Sequence, residues 1–242
     1  MRDQLRFCLL QIRNGDDPAK QHELDCFVRR LEVDARQVES VDVLVDTLDE
    51  RIYERFDAVL VGGSGEFSVL DDVPPIHRFL NFVGETATRG FPTFGSCFGF
   101  QAISLALGGE VAHDAERAEV GTFEIGLTEH GERDPVFASL PQRFAAQQGH
   151  KDHVLRLPDI AHHLAHSERS PHQAARFGEG LVWATQFHPE LTLEDNRHRV
   201  HLYHDRYVDN LEEILSLFRP SEQTHGLLAR FADVLAEQTK QG

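Results

Sequence analysis

Phe91-Pro-Thr-Phe-Gly-Ser-Cys-Phe-Gly-Phe-Gln101 is the stretch from which the fold of this 242-residue chain can be read. Residues 91–94 form a short aromatic and β-branched run entered through a proline, the pattern of a buried strand. Residues 98–107 are good helix formers, and Gly108-Gly109 supplies a stop. Between strand and helix stands Cys97, with Gly95 and Gly99 two residues to either side. So tight a strand-to-helix turn needs neighbours without a Cβ, because backbone crosses backbone there. The helix N-terminus behind the sulfur favours the thiolate. The stretch therefore reads as a nucleophile elbow carrying cysteine.

Working outward, strand-like and helix-like segments alternate. Residues 7–12 are apolar and read as a first strand, and Asn14-Gly-Asp-Asp-Pro18 is turn chemistry leading into a helix over 19–31 with Leu24, Phe27, Val28 and Leu31 on one face. Residues 41–45 alternate as a second strand, 52–56 read as a connector, and 57–61 are a third strand running into Gly62-Gly63-Ser64-Gly65. A helix is expected over 76–88 before the elbow strand. This alternation predicts an α/β fold with a doubly wound, mostly parallel sheet. The second half changes character. Residues 109–128, 143–148, 162–167, 173–177 and 181–187 read as short strands with few intervening helices, hence antiparallel additions. Helical patterning returns from residue 192 to about Phe218, breaks at Pro220, and resumes over 221–238.

Composition removes several function classes. A formal charge of −16 argues against a nucleic-acid-binding face. No apolar run approaches the roughly 20 residues of a membrane span, and the first apolar run is too short for a signal sequence, so a cytoplasmic protein is expected. Three cysteines without C-x-x-C spacing exclude a disulfide scaffold and a zinc knuckle; Cys8 and Cys26 read as packing residues.

A cysteine nucleophile needs a base. Among fifteen histidines, context singles out His188 in Gln186-Phe-His-Pro-Glu190, at the end of an apolar strand. In extended chain, residues i and i+2 project to the same side, which brings Glu190 to the His188 imidazole as the third member of a triad. For the oxyanion, the Phe98 amide beside the sulfur is one natural donor, and Gly63, closing the third strand, offers a second from across the sheet. No phosphate-binding G-x-x-x-x-G-K-[ST] pattern is present, and no cofactor is implied.

Together these motifs resemble those of the class I glutamine amidotransferases. Gly95-Ser-Cys97-Phe-Gly99-Phe-Gln101 matches the family's G-x-C-x-G-x-Q elbow, and Gln186-Phe-His188-Pro-Glu190 its Q-F-H-P-E motif, in the same chain order. Gly62-Gly63-Ser64-Gly65 sits where the family has its glycine-rich oxyanion loop, and His150-Lys-Asp152 is similar to the S-H-G-D segment of the GMP synthetase amidotransferase domain, with Lys151 in place of glycine. The resemblance, which covers roughly residues 5–192, implies a flavodoxin-like fold for a domain over 1–192; the helical patterning of 193–242 reads as an extension packed on the same domain. It implies Cys97, His188 and Glu190 as the catalytic triad, Gly63 and Phe98 as oxyanion donors, and Gly62, Gln101, His150 and Asp152 as glutamine-binding residues. The reaction it implies is glutamine amide hydrolysis through a γ-glutamyl thioester, with ammonia passed to a separate synthase partner. Two alternatives stay open: a γ-glutamyl peptidase, and a non-catalytic regulatory protein on the same fold.

Two patterns lie outside these motifs. His198, His201 and His204, close to Asp205, recur every three residues, which spreads them over about 120° of a helix, so no metal is assigned to them. His162, His163 and His166 are no more persuasive as ligands. The C-terminal apolar positions Leu211, Ile214, Leu215 and Phe218, then Leu227, Leu228, Phe231, Val234 and Leu235, suit either packing on the domain or a partner or homodimer surface.

Overall fold

The computed structural model describes residues 2–203 and 211–238. Its centre is a nine-stranded mixed sheet of order β2-β1-β3-β4-β11-β10-β9-β6-β7. Strands β1 (Phe7–Gln11), β2 (Val38–Asp42), β3 (Ala58–Val61), β4 (Thr93–Ser96) and β11 (Val182–Thr185) run parallel to their neighbours in that block. Beyond β11 the sheet continues antiparallel through β10 (Ala174–Phe177), β9 (Ala161–His166), β6 (Glu119–Leu127) and β7 (Arg143–His150). The doubly wound sheet with antiparallel additions is as the sequence predicts.

Both faces of the inner part of the parallel block are covered, which is why β1, β3 and β11 are nearly all apolar rather than alternating, whereas β2 (Val-Glu-Ser-Val-Asp) at the sheet edge is only partly buried. Along β1, Phe7 and Leu9 join one core and Cys8 and Leu10 the other. The first core includes side chains of α1 (Ala19–Leu31) and of the C-terminal helix α8 (Leu227–Gln238); the second includes those of α3 (Pro74–Thr88) and α4 (Phe98–Ala106). Phe231 of α8 sets its ring against Phe94 of β4 and Trp183 of β11, at centroid separations of 5.6 and 6.0 Å. The buried Trp183 indole N–H is not left unpaired: it donates to the Asp134 carboxylate at 2.9 Å.

Several local expectations need correction. The second strand lies at Val38–Asp42, not 41–45. A capping box at Asp34 and Gln37 closes a short 3₁₀ turn that delivers the chain straight into the strand, and the Asp42 side chain then accepts from the Leu44 amide to start a turn. The 52–56 connector is a one-turn helix, α2 (Arg51–Arg55). The segment 109–128 is two strands, β5 (Glu110–His113) and β6, parted where Asp114 caps a 3₁₀ turn. An unanticipated β8 (Asp152–Arg156) pairs with β5 as a separate two-stranded ribbon, and Thr128 caps a short α5 (Glu129–Arg133). After the last strand, α6 (Leu193–Leu202) gives way to a non-helical Tyr203, and α7 (Leu211–Ser216) ends before Phe218. No helix among the described residues is long and apolar enough to cross a membrane.

Because the Phe231 ring is fully buried between two strands of the parallel block, Phe231→Ala should cost about 3–5 kcal/mol of unfolding free energy, a cavity-forming loss measurable by urea titration. A loss below about 1 kcal/mol would mean that α8 merely rests on the surface.

Candidate active site

The elbow is built as its glycines require. Cys97 follows β4 directly, precedes α4, and holds φ 51° and ψ −96°, a left-handed setting unusual for a residue with a Cβ. Its amide donates to the Thr185 carbonyl at 2.7 Å, anchoring the turn to β11. A Cβ on Gly95 would lie 2.8 Å from the Gly99 carbonyl carbon, and one on Gly99 would lie 2.9 Å from Val61 of β3. The crossing admits only glycine at either position. The Phe98 amide, at the exposed end of α4's hydrogen-bond ladder, donates to no protein acceptor among the described residues.

His188 and Glu190 meet, but not as an extended chain would bring them together. The segment turns at Pro189, with the Leu191 amide returning toward the His188 carbonyl, and this turn sets His188 Nδ1 2.7 Å from Glu190 Oε1. The other carboxylate oxygen accepts from Ser96 Oγ at 2.8 Å. Burial opposes charge on the imidazole, yet the charges of Glu190 and Cys97 and hydrogen bonds to both outweigh it and push His188 up to about 10. Burial likewise works against the Glu190 carboxylate, but His188, Arg199 and Ser96 hold it below its ordinary range. The pair is thus an imidazolium facing a carboxylate.

Glu23 was not anticipated. It lies on the buried side of α1 with no exposed surface, and accepts from Arg13 (2.9 and 3.0 Å), Gln11 (3.0 Å) and the backbone amide of Gly63 (3.0 Å). The Gly63 N–H is therefore occupied, and the expectation of a free donor there is not met in this arrangement. Gly62 also differs from expectation. Its amide donates to the Leu10 carbonyl, and its Cα backs onto Glu23, where a Cβ would fall 2.7 Å from the carboxylate. It does not line the cleft beside Cys97. Arg199 of α6 completes the network, 3.8 Å from Glu23 Oε1 and 3.6 Å from Glu190 Oε1.

Beside Cys97 and Phe98 opens a cleft of about 280 Å³, lined also by Gln101, His150 and Asp152. Gln101 spends its amide N–H on the Asp152 carbonyl at 2.9 Å and approaches Gln186 Oε1 at 3.3 Å. Gln186 in turn directs its own amide at Cys97 Sγ, 3.6 Å away. The Asp152 carboxylate accepts from Ser68 Oγ at 2.6 Å and meets His113 Nδ1 at 2.8 Å. His150 has both ring nitrogens engaged, Nδ1 with the Asp152 carbonyl (2.9 Å) and Nε2 with the buried Glu119 carboxylate (3.0 Å). It supports the cleft wall rather than offering a free ring nitrogen.

The residues missed are Glu23, Arg13, Ser96, Gln186 and Arg199. One signal was available: Glu23 falls four residues before Phe27, so it sits on the apolar face of α1, and a buried acid demands a partner. Nothing local marks Arg199. Of the periodic histidines, His198 and His201 lie on α6; His204 and Asp205 lie outside the described residues.

A cysteine on a strand-to-helix elbow, beside a buried His–Glu pair at the C-terminal edge of a doubly wound sheet, defines an α/β protein with a thiol in the nucleophile's place. The chain belongs to the class-I glutamine amidotransferase family, whose sequence profile matches residues 25–208. It is 32% identical over 157 residues to a glutamine-hydrolysing GMP synthase of Thermotoga sp. (strain RQ2), a match covering 64% of this chain and 27% of that protein. It is 30% identical over 154 residues to a glutamine-hydrolysing GMP synthase subunit of Sulfolobus acidocaldarius, covering 64% of this chain and 77% of the relative. The chain thus spans about a quarter of the first relative and most of the second. In fold it is similar to a glutamine amidotransferase of Thermotoga maritima, with a TM-score of 0.76 at 19% identity, covering 96% of this chain and 98% of that one.

The raised pKa of His188 fixes the sign of its pH linkage. The stabilisation from its charge is fully present below the ordinary histidine value of 6.5 and is lost as pH rises through about 10. In a ring-resonance NMR titration His188 should accordingly remain charged at pH 8, and Glu190→Gln should bring its pKa down sharply. A His188 titrating near 6.5 in the unmodified protein contradicts the assigned ion pair.

Proposed function

We propose that this protein is a glutamine-hydrolysing amidotransferase subunit that releases ammonia for a separate synthase partner. The buried His188–Glu190 pair, 2.7 Å apart beside the Cys97 elbow, carries this reading. Family membership supports glutamine as the substrate, and the similarity to the Sulfolobus GMP synthase subunit supports an ammonia acceptor on a separate partner chain.

In this reading the Cys97 thiolate attacks the γ-carbonyl of glutamine and the carbonyl π electrons move onto oxygen. Collapse of the tetrahedral intermediate breaks the C–N bond, and His188 gives its proton to the departing ammonia, leaving a γ-glutamyl thioester. His188, now neutral, takes a proton from water as that water attacks the thioester; glutamate leaves and the thiolate–imidazolium pair is restored. Glu190 holds the imidazole in register and stabilises its charge, and Ser96 and Arg199 hold Glu190. The Phe98 amide is the standing oxyanion donor. Gly63 becomes the second once its peptide turns from Glu23 toward the cleft, a rotation that a glycine permits at little steric cost. Gln101, Gln186 and Asp152 form the wall against which the amino-acid end of glutamine is placed. Residues 193–242 are read as an extension integral to the same domain, because α6 supplies Arg199 and α8 closes one core.

Purified protein incubated with glutamine should release equimolar ammonia and glutamate, and Cys97→Ala should lower that turnover at least ~10³-fold. Preference for γ-glutamyl dipeptides over glutamine would instead identify a γ-glutamyl peptidase, and undiminished turnover in Cys97→Ala would remove the thiol from the mechanism. When Cys97 is trapped with a diazoketone analogue of glutamine, a crystal structure of the adduct should show the Gly63 amide moved from its 3.0 Å contact with Glu23 onto the adduct oxygen. Retention of the Glu23 contact in the adduct would rule out Gly63 as a donor.

A further inference from the structure

We propose that His22, Cys26 and Asp195 form a binding site for a zinc-class divalent cation at the seam between α1 and α6, with His198 as a fourth ligand. His22 and Cys26 are four residues apart on α1 and share one face. Asp195 stands in the first turn of α6, and His198 follows one turn later. Their donor atoms are already gathered: His22 Nε2 is 3.1 Å from Asp195 Oδ1 and 3.7 Å from Cys26 Sγ, and all three ligand atoms lie within 4.8 Å of one another. Around a tetrahedral zinc ion, with bonds of about 2.3 Å to sulfur and 2.0 Å to nitrogen or oxygen, neighbouring ligand atoms stand about 3.3–3.6 Å apart. The His22 ring meets the His198 ring edge-on, with centroids 5.3 Å apart, so His198 flanks the same space.

The division of labour at Asp195 fits a ligand. Its Oδ2 is committed to the capping box, accepting from the Thr192 amide (2.8 Å) and hydroxyl (2.7 Å). That fixes the carboxylate and leaves Oδ1 directed at His22. Cys26, read from the sequence as a packing residue, is fully buried but belongs to neither apolar core: its sulfur meets the His22 ring and, at 3.4 Å, the Arg29 guanidinium. The donor set of thiolate, imidazole and carboxylate is that of a borderline-soft ion and unsuited to magnesium or calcium.

Arg29 is the competitor. It pairs with Asp195 and touches Cys26, and so supplies positive charge where a metal would stand. Its side chain is about half exposed, at 47%, on a long stem that can carry the guanidinium into solvent. Burial pushes the Cys26 thiol up to about 12, so a metal ion must displace its proton: M²⁺ and the thiol give the metal thiolate, and H⁺ leaves to solvent. The periodic histidines of α6 alone suggested no site because the ligands come from two helices.

The test is a cobalt(II) titration of the tag-free full chain after chelator treatment. One Co²⁺ per chain should bind with a near-ultraviolet thiolate-to-cobalt absorption that zinc abolishes by displacement. Cys26→Ala should remove that absorption, His22→Ala should weaken binding at least ~10-fold, and Cys97→Ala should leave both unchanged. Arg29→Gln, at an exposed side chain with no core role, should tighten binding by removing the internal cation, and it decides the question should the Cys26 or His22 variants fail to fold. No thiolate band in either the unmodified protein or Arg29→Gln would overturn the proposal, because the cluster then takes no metal even with the competing guanidinium removed. A band that survives Cys26→Ala and disappears in Cys97→Ala would assign the metal to the active-site thiol and overturn the proposal.

Discussion

Arg199 stands between two carboxylates that have no access to water, Glu23 and Glu190, and much of the structure follows from that arrangement. A buried carboxylate without a partner is disfavoured by several kcal/mol, so neither acid persists without nearby positive charge. Glu23 has Arg13 at hydrogen-bonding distance and Arg199 farther off; Glu190 has His188 and, again, Arg199. The cations are themselves buried and cannot exchange one partner for water. The chain is therefore bound to bring β1, α1, the loop after β3, the turn after β11 and α6 to one point. Arg13 extends the network outward, through Asp17 at 3.0 Å to Tyr203, whose hydroxyl donates to that carboxylate just after α6 ends.

This charge arrangement holds the loop after β3 as well as the His188–Glu190 pair. The Glu23 carboxylate packs on Gly62 and receives the Gly63 amide, so the loop's resting geometry is set by an acid on α1 rather than by the loop itself. One hydrogen bond to a charged acceptor contributes about 1.5–3 kcal/mol, and the Gly63 peptide must give it up to face the cleft. In the proposed mechanism that is small enough for glutamine binding to supply and large enough to make the contact with Glu23 the resting one. The same carboxylate is tied through Arg199 to Glu190, so the loop after β3 and the His188–Glu190 pair share one electrostatic support.

The parts of this design that were legible in the sequence are local ones. The elbow is readable because Gly95, Cys97 and Gly99 express a steric rule within five residues, and β1 and β3 because burial on both faces makes them nearly all apolar; the edge strand β2, half polar, is misplaced by three residues. His188 and Glu190 were readable as partners, although a turn at Pro189, and not the expected extended strand, brings them together. Long-range order was not legible. Nothing in the alternating segments of the second half specifies that β6 pairs with both β7 and β9, or that β8 leaves the main sheet to pair with β5. Nothing local marks Arg199 on its histidine-rich helix, because its partners lie on α1 and in the turn after β11, far away in sequence. Glu23 was passed over because Leu24, Phe27, Val28 and Leu31 define a plausible helical face without it; the observed face includes Glu23 and Cys26 and leaves Leu24 and Val28 only half-buried.

The seam between α1 and α6 shows why polar residues gather at one place in an otherwise apolar frame. Two helices that meet beside the His188–Glu190 pair cannot both present leucine there, since the buried Glu190 needs a cation and the buried Arg199 needs anions. The polar contacts required at Glu23 and Arg199 then continue along the seam as His22, Cys26 and Asp195, with Arg29 at the rim. The charged and imidazole groups among them would be disfavoured beside hydrocarbon, and they are stabilised by one another. A cation at the rim, whether the Arg29 guanidinium or a metal ion, closes the seam at its outer end as Arg199 closes it at its inner end. The helix that carries Asp195 carries Arg199 one turn later, so whatever holds Asp195 in place also limits how far the countercharge of the triad can move.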